Sequence, residues 1–325
     1  MAEGGKAGAG GRKAMSVIDV EVSEVGPRDG LQNTSQFMPT AAKKAWISAE
    51  AAAGVREIEV CSFVPPKLIP QFSDAAEVVA HACGIPGLVV AALVPNLKGA
   101  ERAADAGVHK LSFTLSVSRA HSLANVRKTP DEQLGELAKI VAMLAAHPEP
   151  RPALSVGLST VFGCTLEGAI AESEIVRLAT AAMAIGGNDL SLADTVGYAN
   201  PAQIKRVVRA VRAAIGAKLT GLHLHNTRGL GLANVLAGLD EGIRTIDSSL
   251  GGLGGCPYAP GASGNIVTED LVFMLESMGL HTGIDLARLL EARRLVEAAL
   301  PEAEFYGNLA RAGLPKGFTQ AERAA

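Results

Sequence analysis

The chain has 325 residues, 48% hydrophobic and 19% charged, which allows a sizeable core and excludes wholesale disorder. Thirty Lys and Arg against 33 Asp and Glu leave a formal charge of −3, so there is neither a basic field for nucleic acid nor a polybasic membrane patch. No apolar run reaches the roughly 18–20 residues of a membrane span, and Cys61, Cys83, Cys164 and Cys256 lack the CxxC spacing of a zinc site or a disulfide framework.

Residues 1–15 hold glycine, alanine and a few charges, with no apolar core for a secretory signal. They read as a flexible tail outside the fold, and a cytoplasmic location with reduced thiols is the expectation. Short β-rich runs then alternate with longer Ala-rich helical stretches. Strands are predicted at 17–25, 55–60, 88–94, 109–115, 153–162, 189–193, 219–225 and 243–250. The helices that follow them fall near 40–53, 73–83, from 96, 130–146, through 183, 201–213, 232–240 and 268–278. Strands separated by helices of this length imply βαβ units and a parallel sheet. Eight such units suit a closed (β/α)8 TIM barrel, and no Gly-rich dinucleotide fingerprint follows the first strand. The barrel is expected over 16–282. A C-terminal helical extension and tail follow over 283–325, with a helix at 284–300 and a loose tail from 305. The phrase GLPKGF at 313–318 has no assignment from pattern alone.

In a barrel, catalytic groups come from the C-terminal ends of strands and the loops after them. Unusual polar residues fall there: Arg28 and Asp29 after the first strand, Glu59 in the second, Asp194 after the sixth, and His223 and His225 in the seventh. Side chains two apart on a strand face the same way, so both imidazoles can converge on one point. Alone, an HxH pair is as readily two core histidines held by carbonyls. An Asp at another strand end and an amide in the last loop tip the balance to a metal. A His₂-plus-oxygen set suits Mg²⁺, Mn²⁺ or a neighbouring transition ion. Cys256 sits among six glycines of 251–264, in a segment whose backbone can approach a ligand and move. Arg28 reads equally as an ion-pair partner of Glu59 or Asp29 and as a donor to a developing oxyanion.

Together the motifs resemble the hydroxymethylglutaryl-CoA lyase family. The resemblance is carried by EVGPRDGLQN at 24–33, EIEVCSFVPPK at 57–67, VPNLKG at 94–99, SLADTVG at 191–197 and GLGGCPYAPGASGNIVTEDLV at 252–272. It implies a retro-Claisen lyase that splits a 3-hydroxy-3-methylacyl-CoA, in the family's usual case into acetyl-CoA and acetoacetate. Asp29, His223, His225 and Asn265 match the family's divalent-metal ligands, for Mg²⁺ or Mn²⁺. Arg28 matches the arginine facing the thioester carbonyl, and Glu59 an acidic residue beside it. Cys256 matches the proton-transferring cysteine of the last loop, while Gln32 and Asp194 match further polar, substrate-binding positions. Either Asp29 or His223 could take the hydroxyl proton.

The same machinery serves a lyase for another 3-hydroxyacyl-CoA, such as citramalyl-CoA. A Claisen-condensing synthase is a more distant alternative, since those enzymes usually carry a different first motif and no GGCPYA loop. The partners implied are an acyl-CoA substrate and further copies of the chain, as a dimer or tetramer, with no nucleic acid or membrane. The chain departs from the lyase pattern at Asn226 and Arg228, at 163–168, and at 116–127, where it is closer to condensing relatives. These departures are expected near the acyl group.

Overall fold

The computed structural model describes residues 18–254 and 264–321. Eight parallel strands close on themselves in chain order: β1 (Glu21–Glu24), β2 (Glu57–Ser62), β3 (Val89–Leu93), β4 (Lys110–Ser116), β5 (Ala153–Ser159), β6 (Asp189–Asp194), β7 (Leu219–Leu224) and β8 (Thr245–Ser248). Closure comes from β1, which pairs with β2 on one side and runs Glu21–Glu24 against Thr245–Ser248 on the other. The expected barrel is the observed one. Five strands (β1, β3, β5, β7 and β8) are shorter than the β-rich runs, whose ends peel off into loops; β2 and β4 keep the expected length with a shift toward the C-terminus, and β6 runs one residue further, to Asp194.

Period-two alternation divides the two faces of the barrel wall. On β6, Leu190 and Leu192 are fully buried against the helices, while Asp189, Ser191 and Ala193 line the barrel interior. On β5 the inner positions are Ser155, Gly157 and Ser159. A barrel of this kind usually fills its centre with Val, Ile and Leu. Here small and polar residues leave a cavity of about 790 Å³. Charge inside it is paired: Lys110 Nζ donates to both oxygens of Glu57 at 2.9 and 3.1 Å, Ser23 Oγ donates to Glu57 at 2.9 Å, and Ser155 Oγ donates to Asp189 at 2.5 Å.

The outer ring is α1 (Thr40–Ala53), α2 (Ala75–Cys83), α3 (Leu97–Asp105), α5 (Pro130–Ala146), α6 (Glu172–Ile185), α7 (Pro201–Ile215), α8 (Gly231–Asp240) and α9 (Thr268–Ser277), with α4 (Arg119–Val126) inserted after β4. The start of α5 is written into the chain: Thr129 and Glu132 form a reciprocal capping box and Pro130 opens the first turn. No helix among the described residues is long and apolar enough to cross a membrane.

Past the barrel, α10 (Leu286–Ala299) lies against α1, with Asp285 N–H on the Ala53 carbonyl at 2.7 Å, and α11 (Leu309–Ala312) follows. The tail expected to be loose from 305 is bound through 321. Tyr306 N–H donates to the Gly251 carbonyl at 2.8 Å, and Asn308 and Leu309 N–H both donate to Asp270. In the unassigned GLPKGF phrase, Phe318 packs on Phe273 with ring centroids 5.2 Å apart. Gln320 then bonds the backbone of Ile284 and Leu286. Backbone groups with no helical or strand partner are satisfied here by acidic side chains and an amide, which no local periodicity announces.

Candidate active site

Where β1 ends, the chain makes one π-helical turn, Gly26–Gly30. Asp29 and Gly30 N–H both donate to the Val25 carbonyl, at 2.7 and 3.4 Å. This wide turn places Arg28 and Asp29 side by side at the cavity. Gly26 is required: a Cβ there would lie 2.5 Å from Glu24 Oε1 and 2.8 Å from the Trp46 ring.

The Arg28 guanidinium is gripped on two edges. Nη1 donates to Asp29 Oδ1 at 2.6 Å, and Nε makes a very short bond to Glu59 Oε2. Burial alone would lower its pKa, but the Glu59 and Asp29 carboxylates outweigh burial and raise it, so the charge is permanent. Both roles weighed for Arg28, ion-pair partner and cavity-facing donor, are therefore open to one side chain. Asp29 has the opposite balance. Burial would raise its pKa, but Arg28, His223, His225 and a bond from Asn265 hold the carboxyl well below the usual range.

On β7, Leu222 and Leu224 turn outward into the core, so His223 and the following His225 turn inward together. Their Nε2 atoms face each other at 3.2 Å, and each lies 3.9 Å from Asp29 Oδ2. One ligand atom from each of Asp29, His223 and His225 lies within 4.8 Å of the other two. Burial, then the neighbouring His223, lowers the His225 pKa to about 4. For His223 burial is outweighed by Asp247, whose Oδ2 sits 3.1 Å from Nδ1, and by Asp29, so its pKa is raised. Asn265 completes the group through an isolated bridge to His225, its Nδ2 donating to Asp29 Oδ2 at 2.7 Å. Among the described residues, Asn265 Oδ1 and His225 Nδ1 are buried with no hydrogen-bond partner.

Beneath this cluster lies a second, fully buried set that the motif reading did not use. Glu24 accepts from Gly26 N–H at 2.8 Å, Leu250 N–H at 2.9 Å and Thr268 Oγ at 2.7 Å. One carboxyl thus ties together the turn bearing Asp29, the root of the glycine-rich loop and the helix after Asn265. Burial raises its pKa to about 7, and burial beside Glu24 pushes Glu50 well above the carboxylate range. The folded state therefore holds more protons than the unfolded chain between about pH 4.5 and 7. Stability from Glu24 is full below that window and is lost as pH rises through it. Glu24→Gln keeps the acceptor and removes the titration. Its Tm is expected to fall less than wild type from pH 5 to 8, by on the order of a few °C, in calorimetric scans across that range. Identical Tm–pH slopes would show that Glu24 does not titrate there.

Gln32 is half-buried and lines the cavity. Asp194 does not: its carboxylate is buried and accepts from Tyr198 N–H at 2.8 Å and Ala199 N–H at 3.1 Å. Burial lifts its pKa to about 6. Asp194 is therefore not brought into the cavity lining with Arg28, Asp29, Gln32, Glu59, His223 and His225; its oxygens bond the loop after β6. Two of the three departures from the lyase pattern also lie away from the cavity lining. Asn226 Oδ1 accepts from Gly231 N–H at the start of α8, and Arg228 donates to the Val196 and Gly197 carbonyls while stacking over Tyr198 at 4.6 Å. Leu166 points to solvent, 52% exposed. The third stays at the mouth, where His121, Asn125 and Arg127 line the opening. Cys256 lies outside the described residues.

The HMGL-like family model matches residues 19–296. The hydroxymethylglutaryl-CoA lyase YngG of Bacillus subtilis is 42% identical over 280 residues, covering 86% of this chain and 92% of that protein. The mitochondrial hydroxymethylglutaryl-CoA lyase of Macaca fascicularis is 40% identical over 281 residues, 86% of each chain. Among solved structures, an HMG-CoA lyase from Acinetobacter baumannii in complex with coenzyme A and 3-methylmalate superposes with a TM-score of 0.86 at 42% identity. That match covers 94% of this chain and 99% of the other.

Proposed function

The chain belongs to the HMGL-like family, and from that premise we propose that it is a carbon–carbon lyase cleaving 3-hydroxy-3-methylglutaryl-CoA into acetyl-CoA and acetoacetate. The observation that carries this reading is the convergence of Asp29, His223 and His225 beside a permanently charged Arg28 at the mouth of a polar barrel. Lyases at 40–42% identity over most of the chain favour cleavage over Claisen condensation.

The donor set fits a divalent cation. Two imidazole nitrogens face each other with a carboxylate oxygen near both, and an amide oxygen is left buried without a partner. Asp29, His223, His225 and Asn265 would hold Mg²⁺ or Mn²⁺, which would supply the Lewis acidity that makes the substrate's tertiary hydroxyl more acidic. Asp29 is the candidate for taking that hydroxyl proton, because His223 would have Nε2 on the cation and Nδ1–H on Asp247. Loss of the proton forms the ketone as the C2–C3 bond breaks, and the electron pair passes onto the thioester oxygen. Arg28 stabilises that enolate. Glu59 grips Arg28 through Nε and holds the guanidinium plane in place. Cys256 is assigned the protonation of the enolate carbon. Gln32 remains a substrate-binding candidate at the cavity wall, and Asp194 shapes the loop after β6. A homo-oligomer is the expected assembly.

Purified enzyme with Mn²⁺ or Mg²⁺ is expected to release acetyl-CoA and acetoacetate from this thioester, read by product mass, and to stop when chelator is added. Cleavage of citramalyl-CoA alone would move the assignment to another 3-hydroxyacyl-CoA lyase. Consumption of acetyl-CoA in its place would make the chain a synthase.

A further inference from the structure

A carboxylate on β8, the strand paired with β1, has no part in the steps above. Asp247 on β8 is in direct register with His223 on β7, and both side chains line the cavity. Asp247 Oδ2 lies 3.1 Å from His223 Nδ1, on the opposite edge of the ring from Nε2. Nε2 in turn faces His225 at 3.2 Å and Asp29 at 3.9 Å. A carboxylate accepts and cannot donate, so the hydrogen of this bond sits on Nδ1. In the neutral ring Nε2 is then the bare lone pair, turned toward the cluster.

We propose that Asp247 is the positioning residue for His223: it fixes the ring in the Nδ1–H tautomer and one orientation, so that Nε2 is presented to a cation. The inference rests on the metal reading of the site. Histidines that bind metals commonly have the distal nitrogen held in this way, and loss of the holding group typically weakens the metal by about 10–100-fold. A competing account is purely structural. Lys110 and Arg28 are close enough to feel the Asp247 charge, and Asp247 would then only offset them.

The test uses Asp247→Asn and Asp247→Ala in the full chain, with His223→Ala as reference. Three quantities are read on each sample: Mn²⁺ affinity by electron paramagnetic resonance, melting temperature, and the ¹⁵N–¹H long-range pattern of the metal-free histidines. The asparagine variant is near-isosteric, and its NH₂ can donate to Nδ1 and so favour the Nε2–H form. We expect it to stay folded, bind Mn²⁺ about 10–100-fold more weakly, and show the His223 pattern moving from Nδ1–H toward Nε2–H. An affinity within twofold of wild type and an unchanged ring pattern, while His223→Ala loses Mn²⁺, would overturn the positioning role and leave the metal reading standing. If wild type and His223→Ala bind Mn²⁺ equally, the metal reading falls. The ring pattern of Asp247→Asn then still decides whether Asp247 sets the tautomer.

Discussion

Arg28→Met is expected to lower kcat by about 10²–10³, the usual loss when a preorganised oxyanion donor is removed, with only a modest change in KM for the acyl-CoA. The split follows from when the interaction acts. The thioester oxygen is neutral in the bound substrate and negative after the C2–C3 bond breaks, so the guanidinium favours the transition state over the ground state. Its grip on Asp29 and Glu59 holds it still for that purpose. The same grip creates the competing account, in which Arg28 only neutralises two nearly buried carboxylates. Arg28→Lys separates the two. Lysine keeps the charge and loses the planar fork, so it should recover much of any lost stability but little of the turnover. Tm and kcat measured on the same Met and Lys samples decide: normal kcat in a destabilised protein would remove Arg28 from the chemistry.

His225→Ala is expected to weaken Mn²⁺ binding at least tenfold in a folded barrel and to reduce turnover at low metal concentration in proportion. His225 is almost fully buried, and its Nε2 faces the Asp29–His223 pair. Its depressed pKa of about 4 leaves the ring neutral at pH 7, so no proton competes for the lone pair. Turnover restored by excess Mn²⁺ would show that the residue serves affinity alone. Titration of metal-depleted protein by electron paramagnetic resonance reads the loss directly, and an unchanged Mn²⁺ affinity would refute the ligand assignment.

Both predictions depend on residues visible as motifs in the chain, and the reason is local. Strand side chains repeat every two residues, so His223 and His225 had to share a face once β7 was recognised, and the outward Leu222 and Leu224 set that face inward. Eight strand–helix units likewise determined a closed barrel, because strand order and handedness leave few other ways to bury so many parallel strands. What the three-dimensional fold alone decided is which distant groups meet. Asn265 reaches Asp29 across 236 residues of chain, and Arg28 reaches Glu59 across 31. Nothing in TIDSSL at 245–250 singles out Asp247; barrel register sets it opposite His223. Asp194 looks like its neighbours at the strand ends. The loop after β6 instead turns two backbone N–H groups onto it, and buried amides without another partner claim the nearest carboxylate. Periodicity along the chain determines which way a side chain faces; register around the closed sheet, and unpaired backbone groups in the loops, determine what it meets.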